Sequence, residues 1–161
     1  LAINTLPQFD LGKDASLCGA QNFVITGPVG YSSYSWDNGS TQKDRTVSAT
    51  GIYKLKVTDY NGCKNTDDIL VTYHNLPAPN LNISEYICPG GQVSLDPGQF
   101  TSYLWNTGAT SRVLTANATG TYSVTVADVN GCKNSDEVVV YNYDNPNISL
   151  GSDVAICQDT T

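Results

Sequence analysis

Five cysteines, at positions 18, 63, 88, 132 and 157, and two acidic turns built on Asn-Gly are the groups in this chain best equipped for chemistry. A thiol can pair as a disulfide, ligate a metal or attack a substrate, and its companions decide which. A nucleophile needs a base. The single histidine, His74, has no Ser or Cys partner outside a repeating pattern and reads as a solvated side chain at a strand end. A glycosidase needs two carboxyls about 5–9.5 Å apart across a cleft. The pairs Asp67/Asp68 and Asp136/Glu137 recur at equivalent positions and read instead as solubilising charges at a strand edge. No catalytic residue is assigned, and the chain is not read as an enzyme.

Oxygen-rich turns can also hold calcium, which takes six to eight oxygen ligands. Candidate ligands are Asp59, Asn61, Asn65, Asp67 and Asp68 in one turn, and Asp128, Asn130, Asn134, Asp136 and Glu137 in the other. Their spacing does not fit the twelve-residue calcium loop of EF-hands. A plain Asn-Gly turn with polar flanks is the simpler reading, so no cofactor is expected, with calcium as the alternative.

These groups recur because the chain does. Trp36 and Trp105, Gly51 and Gly120, Tyr53 and Tyr122, and Cys63 and Cys132 all share one spacing, 69 residues. A proline followed eleven residues later by a cysteine occurs at Pro7/Cys18, Pro77/Cys88 and Pro146/Cys157. The expected organisation is the end of a preceding unit or linker at 1–6, one unit at 7–76, a second at 77–145, and the start of a third at 146–161. The first residue is not Met and Met is absent throughout, which reads as a piece of a longer protein.

The elements that position these residues are strands. Tyr53, Leu55 and Val57 alternate with Lys54, Lys56 and Thr58, and Tyr122, Val124 and Val126 alternate in the same way. Phe23 and Ile25 correspond to Val93 and Leu95. Ile69-Leu70-Val71 and Val138-Val139-Val140 each follow an Asn-Gly turn, where positive φ angles are expected to make a tight hairpin. Between the Trp strand and the Gly strand, Thr46-Val47 and Val113-Leu114 are the candidates, and they align poorly. Six or seven short strands per unit predict a β-sandwich. Trp36 and Trp105 on the third strand, with Tyr53 and Tyr122 opening the sixth, sharpen that to an immunoglobulin-like sandwich with these four residues in its core. The fold expected is all-β: tandem immunoglobulin-like domains arranged as an extended rod.

Composition bounds the partners. At 161 residues with 40% hydrophobic content, the chain is too apolar for a disordered tail. Eight Lys and Arg against fifteen Asp and Glu give a net charge of -7, which repels nucleic acid and anionic lipid. No apolar run approaches the roughly 20 residues of a spanning helix, so direct membrane insertion is not expected.

The pattern Cys-x-Gly, Tyr-x-Trp-x-x-Gly and Gly-x-Tyr-x-Val-x-Val-x-Asp-x-x-Gly-Cys resembles the tandem Ig-like or PKD-like repeats of Bacteroidota type IX-secreted surface proteins, among them the SprB-type gliding-motility adhesins. Cys18-Gly19 and Cys157-Gln158 depart from the first element. The resemblance implies a secreted, cell-surface or filament role. Its partners would be neighbouring repeats of the same chain, with surface polysaccharide or another cell-surface protein as further candidates.

Fixed cysteine positions without catalytic companions suggest disulfides and an oxidising compartment. Two pairings stand open. One closes each unit, Cys18–Cys63 and Cys88–Cys132. The other follows from the second and sixth strands of such a sandwich running the same way, which puts the two cysteines of a unit at opposite ends, some 25–30 Å apart. A disulfide needs Cα atoms within about 7 Å. Cys18 would then bond Cys132 and staple two units, while Cys63, Cys88 and Cys157 pair outside the chain. Strand order favours the staple. Leu76-Pro77-Ala78-Pro79 and Asp144-Asn145-Pro146 read as short, stiff joints.

The functional expectation is a non-catalytic, disulfide-supported spacer in a large extracellular adhesin or filament that serves gliding or attachment. The alternative is an accessory spacer or glycan-binding module of a secreted polysaccharide-degrading enzyme. For that role Tyr31, Tyr34 and Tyr60 are the expected exposed aromatics. The sequons at Asn38, Asn82, Asn117 and Asn147 and the terminal Asp159-Thr160-Thr161 carry little weight.

Overall fold

A computed structural model describes residues 4–143 together with 146, 148, 149 and 151. Cys157 and most of 146–161, where a third unit is expected to start, lie outside them, as do Asp144 and Asn145 of the expected second joint, Asn147 and Asp159-Thr160-Thr161. The described residues form twelve strands and no helix. The first six are β1 (Ala15–Cys18), β2 (Phe23–Ile25), β3 (Ser33–Trp36), β4 (Arg45–Val47), β5 (Gly51–Thr58) and β6 (Lys64–His74). They make a four-stranded sheet in the order β1-β6-β5-β3, and β2-β4 lies in a second sheet. The remaining six are β7 (Ser84–Ile87), β8 (Val93–Leu95), β9 (Ser102–Trp105), β10 (Leu114–Ala116), β11 (Gly120–Ala127) and β12 (Lys133–Asn142). They repeat the arrangement, β7-β12-β11-β9 with β10-β8. No strand of the first set pairs with one of the second.

Each set has its own core. Ile25, Trp36, Val47, Leu55, Val57, Ile69 and Val71 form one. Their 69- or 70-residue counterparts, Leu95, Trp105, Ala116, Val124, Val126, Val138 and Val140, form the other with Leu81 and Ile87. The inward side chains alternate along β5 and β11, so a one-residue slip would turn every one of them to solvent. Leu55 lies opposite Trp36 in the β3–β5 register and Val124 opposite Trp105. Each indole N–H is satisfied by a backbone carbonyl, Gln42 O for Trp36 and Ser111 O for Trp105, both at 2.9 Å. A buried donor without such a partner would cost about 1–3 kcal/mol.

The tyrosine positions are equally specific. Tyr53 donates its hydroxyl to Ala49 O at 2.6 Å and Tyr122 to Ala118 O at 3.1 Å, four residues upstream in each case. This is the tyrosine corner of immunoglobulin sandwiches. The fold is immunoglobulin-like. Replacing Tyr53 by Phe removes one hydrogen bond and keeps the ring, so a loss of about 1 kcal/mol is expected in denaturant unfolding.

Three local expectations are corrected. Tyr53 and Tyr122 open the fifth strand of their unit, not the sixth, because a single strand lies between Trp and Gly. In the second unit that strand is Leu114–Ala116 rather than Val113-Leu114, and Val113 is exposed. It matches Arg45–Val47 at the common spacing, but its inward residue is Ala116, whose strand preference is low. The hairpins are not two-residue turns with both central φ angles positive. Gly62 and Gly131 have φ of 84° and 80°, whereas Asn61 and Asn130 do not adopt positive φ. Asp59 N–H donates to Cys63 O at 2.9 Å and Gly62 N–H to Asp59 O at 3.2 Å, which closes a three-residue loop.

One ion pair joins two loops and another joins a loop to a strand. Arg112 grips Asp96 through two bonds of 2.9 and 2.8 Å. Arg45 pairs with Asp37 and lies over the Tyr53 ring, 4.6 Å from its centroid. The Arg112 hydrogen bond, then Gly98 N–H, lower the Asp96 carboxyl below its usual pKa. For Asp37, burial acts upward, but the Arg45 and Lys54 N–H contacts outweigh it and the net direction is down. Depressed carboxyls stabilise the fold above their unfolded pKa, and that contribution goes as pH falls through the folded value. Melting temperature should therefore decline below about pH 4, less so in Asp37→Asn and Asp96→Asn variants.

Candidate functional site

The cysteine positions follow from strand direction. β1 runs parallel to β6, and its last residue, Cys18, lies opposite His74 at the end of β6. Cys63 immediately precedes β6, which is 11 residues long. At about 3.3 Å per residue the two cysteines of this unit are roughly 35 Å apart along the strand. A bond between them is excluded by geometry.

From β6 the chain enters Leu76-Pro77-Ala78-Pro79 beside Cys18. Gly19 turns there with φ of 72°, its N–H donates to His74 O at 2.8 Å, and a Cβ would meet Leu76 Cγ at 3.3 Å. The second unit catches the joint by two side chains of β12. Asn134 donates its amide to Pro77 O at 2.8 Å, and Asp136 accepts the Leu81 N–H at 2.7 Å. Cys132 stands two residues before Asn134. Its backbone is fixed by Asp128 Oδ1, which accepts the N–H groups of Asn130 and Cys132, each at 2.9 Å. These contacts bring Cys132 to Cys18, and the two are bonded with Cα atoms 5.4 Å apart. The bond runs between units. The within-unit pairs Cys18–Cys63 and Cys88–Cys132 are absent, and among the described residues Cys63 and Cys88 are free, the first half-buried and the second exposed.

The same clip recurs at the entry to the first unit. Asn65 donates to Pro7 O at 2.8 Å, Asp67 accepts the Leu11 N–H at 2.7 Å, and Asp59 Oδ1 accepts from Asn61 and Cys63 N–H at 2.8 Å each. Of the residues considered for calcium, Asp59, Asn65, Asp67, Asp128, Asn134 and Asp136 have their side chains hydrogen-bonded to hairpin or entry backbone. Among the described residues no group of three or more His, Cys, Asp or Glu is placed to hold a metal ion. Asp67 and Asp136 are not free edge charges, because each receives a backbone N–H from the segment entering its unit. His74 meets Ser16 Oγ at 3.1 Å on the paired strands beside Cys18.

The aromatics sort differently from expectation. Tyr60 is exposed, but Tyr31 and Tyr34 are half-buried and donate their hydroxyls to Gln8 O and Pro28 O. The tyrosines that do share a surface are Tyr86, Tyr141 and Tyr143. Tyr86 stacks on Tyr141 at 5.4 Å and on Tyr143 at 5.1 Å between ring centroids, and all three are exposed. Sequence parity carries this signal, since Tyr141 and Tyr143 alternate against the inward Val138 and Val140.

No family model matches the sequence, and no curated protein matches it. Similar solved structures include a three-Ig fragment of titin, domains I67–I69, at 11% identity and a TM-score of 0.43, covering 81% of this chain and 63% of that one. The insect immune protein hemolin is 15% identical with a TM-score of 0.43, covering 86% and 46%. The SGBP-B protein of a Bacteroides ovatus mixed-linkage glucan utilization locus, in complex with a mixed-linkage heptasaccharide, is 19% identical with a TM-score of 0.32, covering 87% and 45%. This chain spans less than two thirds of each. Such likenesses concern fold, and the immunoglobulin-like assignment stands on strand order and the tyrosine corners. Among the described residues no helix is long and apolar enough to cross a membrane.

Proposed function

We propose that this chain is a non-catalytic spacer segment of a long extracellular repeat protein, a surface adhesin or filament of the gliding or attachment type. The observation that carries this reading is the Cys18–Cys132 bond, which ties two units whose hydrophobic cores are separate. A bond inside one core would stabilise that core; a bond between cores limits how the two move against each other. Such a bond calls for an oxidising compartment, consistent with secretion. The proline joint and the Asn134 and Asp136 clips act in the same direction, and together they support a stiff, end-to-end rod.

Small-angle X-ray scattering of oxidised and reduced chain tests this. The expected result is an elongated two-body profile whose inter-unit distances broaden on reduction. A profile of one compact globule in both states would overturn it. The reading needs no cofactor, so the melting temperature should be the same in millimolar calcium and in chelator.

The stacked Tyr86, Tyr141 and Tyr143 favour one second reading, a glycan-binding accessory module, because exposed aromatic surfaces pack against sugar rings. It requires a glycan-array signal that Tyr141→Ala abolishes. The spacer reading expects no such signal.

A further inference from the structure

Cys63 and Cys132 sit in one backbone frame. Asp59 and Asp128 each accept two hairpin N–H groups at 2.8 to 2.9 Å, and each closes its loop by donating to the cysteine carbonyl, at 2.9 and 3.0 Å. Asn65 and Asn134 each anchor the entering proline carbonyl at 2.8 Å. Cys88 follows Ile87 at the end of β7, the strand parallel to β12, as Cys18 ends β1 parallel to β6. Tyr143 N–H donates to Ile87 O at 2.9 Å beside it. One member of each equivalent pair is bonded and the other is free. The bonded members show what the free ones are shaped to meet.

We infer that Cys63 and Cys88 are the two halves of this same joint, at opposite ends of the two-unit pair, and that each takes the matching half of an adjoining unit, which a second copy of this chain supplies head to tail. The inference rests on the inter-unit joint of the spacer reading. The contact is heterologous, so each copy added leaves one half of the joint for the next. Between separate molecules no linker holds the ends together, so the local concentration is low and the contact accumulates only when trapped covalently. The oxidant is a small disulfide such as glutathione disulfide. The Cys88 thiolate displaces one glutathione thiolate to give a mixed disulfide. Cys63 of a second copy, having lost its proton, attacks the Cys88 sulfur and releases the second glutathione thiolate. Two protein thiols are oxidised and one glutathione disulfide is reduced to two thiols.

The test uses the full chain carrying Cys157→Ser, held at high concentration in a glutathione redox buffer and run on a non-reducing gel. The expected result is a ladder of dimers, trimers and longer species, with Cys63–Cys88 as the linking peptide. Cys63→Ser alone and Cys88→Ser alone should stay monomeric, and the two variants mixed should give a dimer that grows no further. Cys63–Cys63 or Cys88–Cys88 links, or a ladder surviving in either single variant, would overturn the inference. Monomer with an intact Cys18–Cys132 peptide and no ladder overturns this inference alone. Cys18–Cys63 and Cys88–Cys132 peptides overturn both it and the joint on which the spacer reading rests.

Discussion

Pulled from its two termini, the oxidised chain should withhold about 400 Å of contour length that the reduced chain releases. The Cys18–Cys132 bond bridges 114 residues of sequence, and each extended residue spans at most about 3.3–3.6 Å. Among the described strands, only β1 of the first unit lies before the bond and only β12 of the second lies after it. The covalent path under load therefore bypasses most of both cores. Atomic-force or optical-tweezer traces with and without reductant read this directly. Pairing inside each unit would withhold about 155 Å per unit instead, since Cys18 to Cys63 spans 45 residues and Cys88 to Cys132 spans 44. Equal extension in both redox states would mean that no bond bears load.

Trp105→Ala should cost about 3–5 kcal/mol, the usual range for emptying an aromatic site in a core. Trp105 is 1% exposed and packs with Leu95, Val124 and Val138 between the sheets of the second unit. Small domains have about 5–15 kcal/mol of total stability, and a unit of this size lies near the lower end. The second unit should thus melt early or remain unfolded. Trp36 belongs to the other core and becomes the only indole in the variant. Its emission should keep the wavelength of a buried tryptophan and its own later transition. Loss of the Trp36 signal together with the second unit would show one merged core.

Much of this architecture is legible in the residues because each core position is written twice. Trp36 and Trp105, Leu55 and Val124, and Val57 and Val126 fall on the same face in both copies, and alternation alone says which way they point. The tyrosine corner is legible for a related reason: its Gly-x-Tyr spacing places a hydroxyl beside a carbonyl four residues upstream. Legibility ends where a small or polar residue takes on a task by tertiary contact. Ala116 fills an inward position that pattern assigns to larger residues. Asp67 and Asp136 resemble charges for solvent until the entering segment folds back and donates Leu11 and Leu81 N–H to them. Neither donor is within fifty residues of its acceptor, so no local pattern reveals the pair. The Asn-Gly loops mislead in a smaller way. The dipeptide marks a hairpin correctly, but the Asp three residues before the Gly holds the Asn in an ordinary conformation and leaves positive φ to Gly alone.

The cysteines lie between these cases. Strand direction separates Cys18 from Cys63, and that much is readable in the chain. The approach of Cys132 depends on Asn134 and Asp136 capturing the joint, which the sequence does not state. Redox chemistry is therefore where the arrangement of the two units is most exposed to experiment. The decisive measurement is disulfide peptide mapping by mass spectrometry on oxidised chain, digested without reductant and with free thiols blocked. A peptide linking Cys18 to Cys132, with Cys63 and Cys88 recovered as blocked thiols in the monomer, is the result expected. Recovery of Cys18 joined to Cys63 and of Cys88 joined to Cys132 would contradict it.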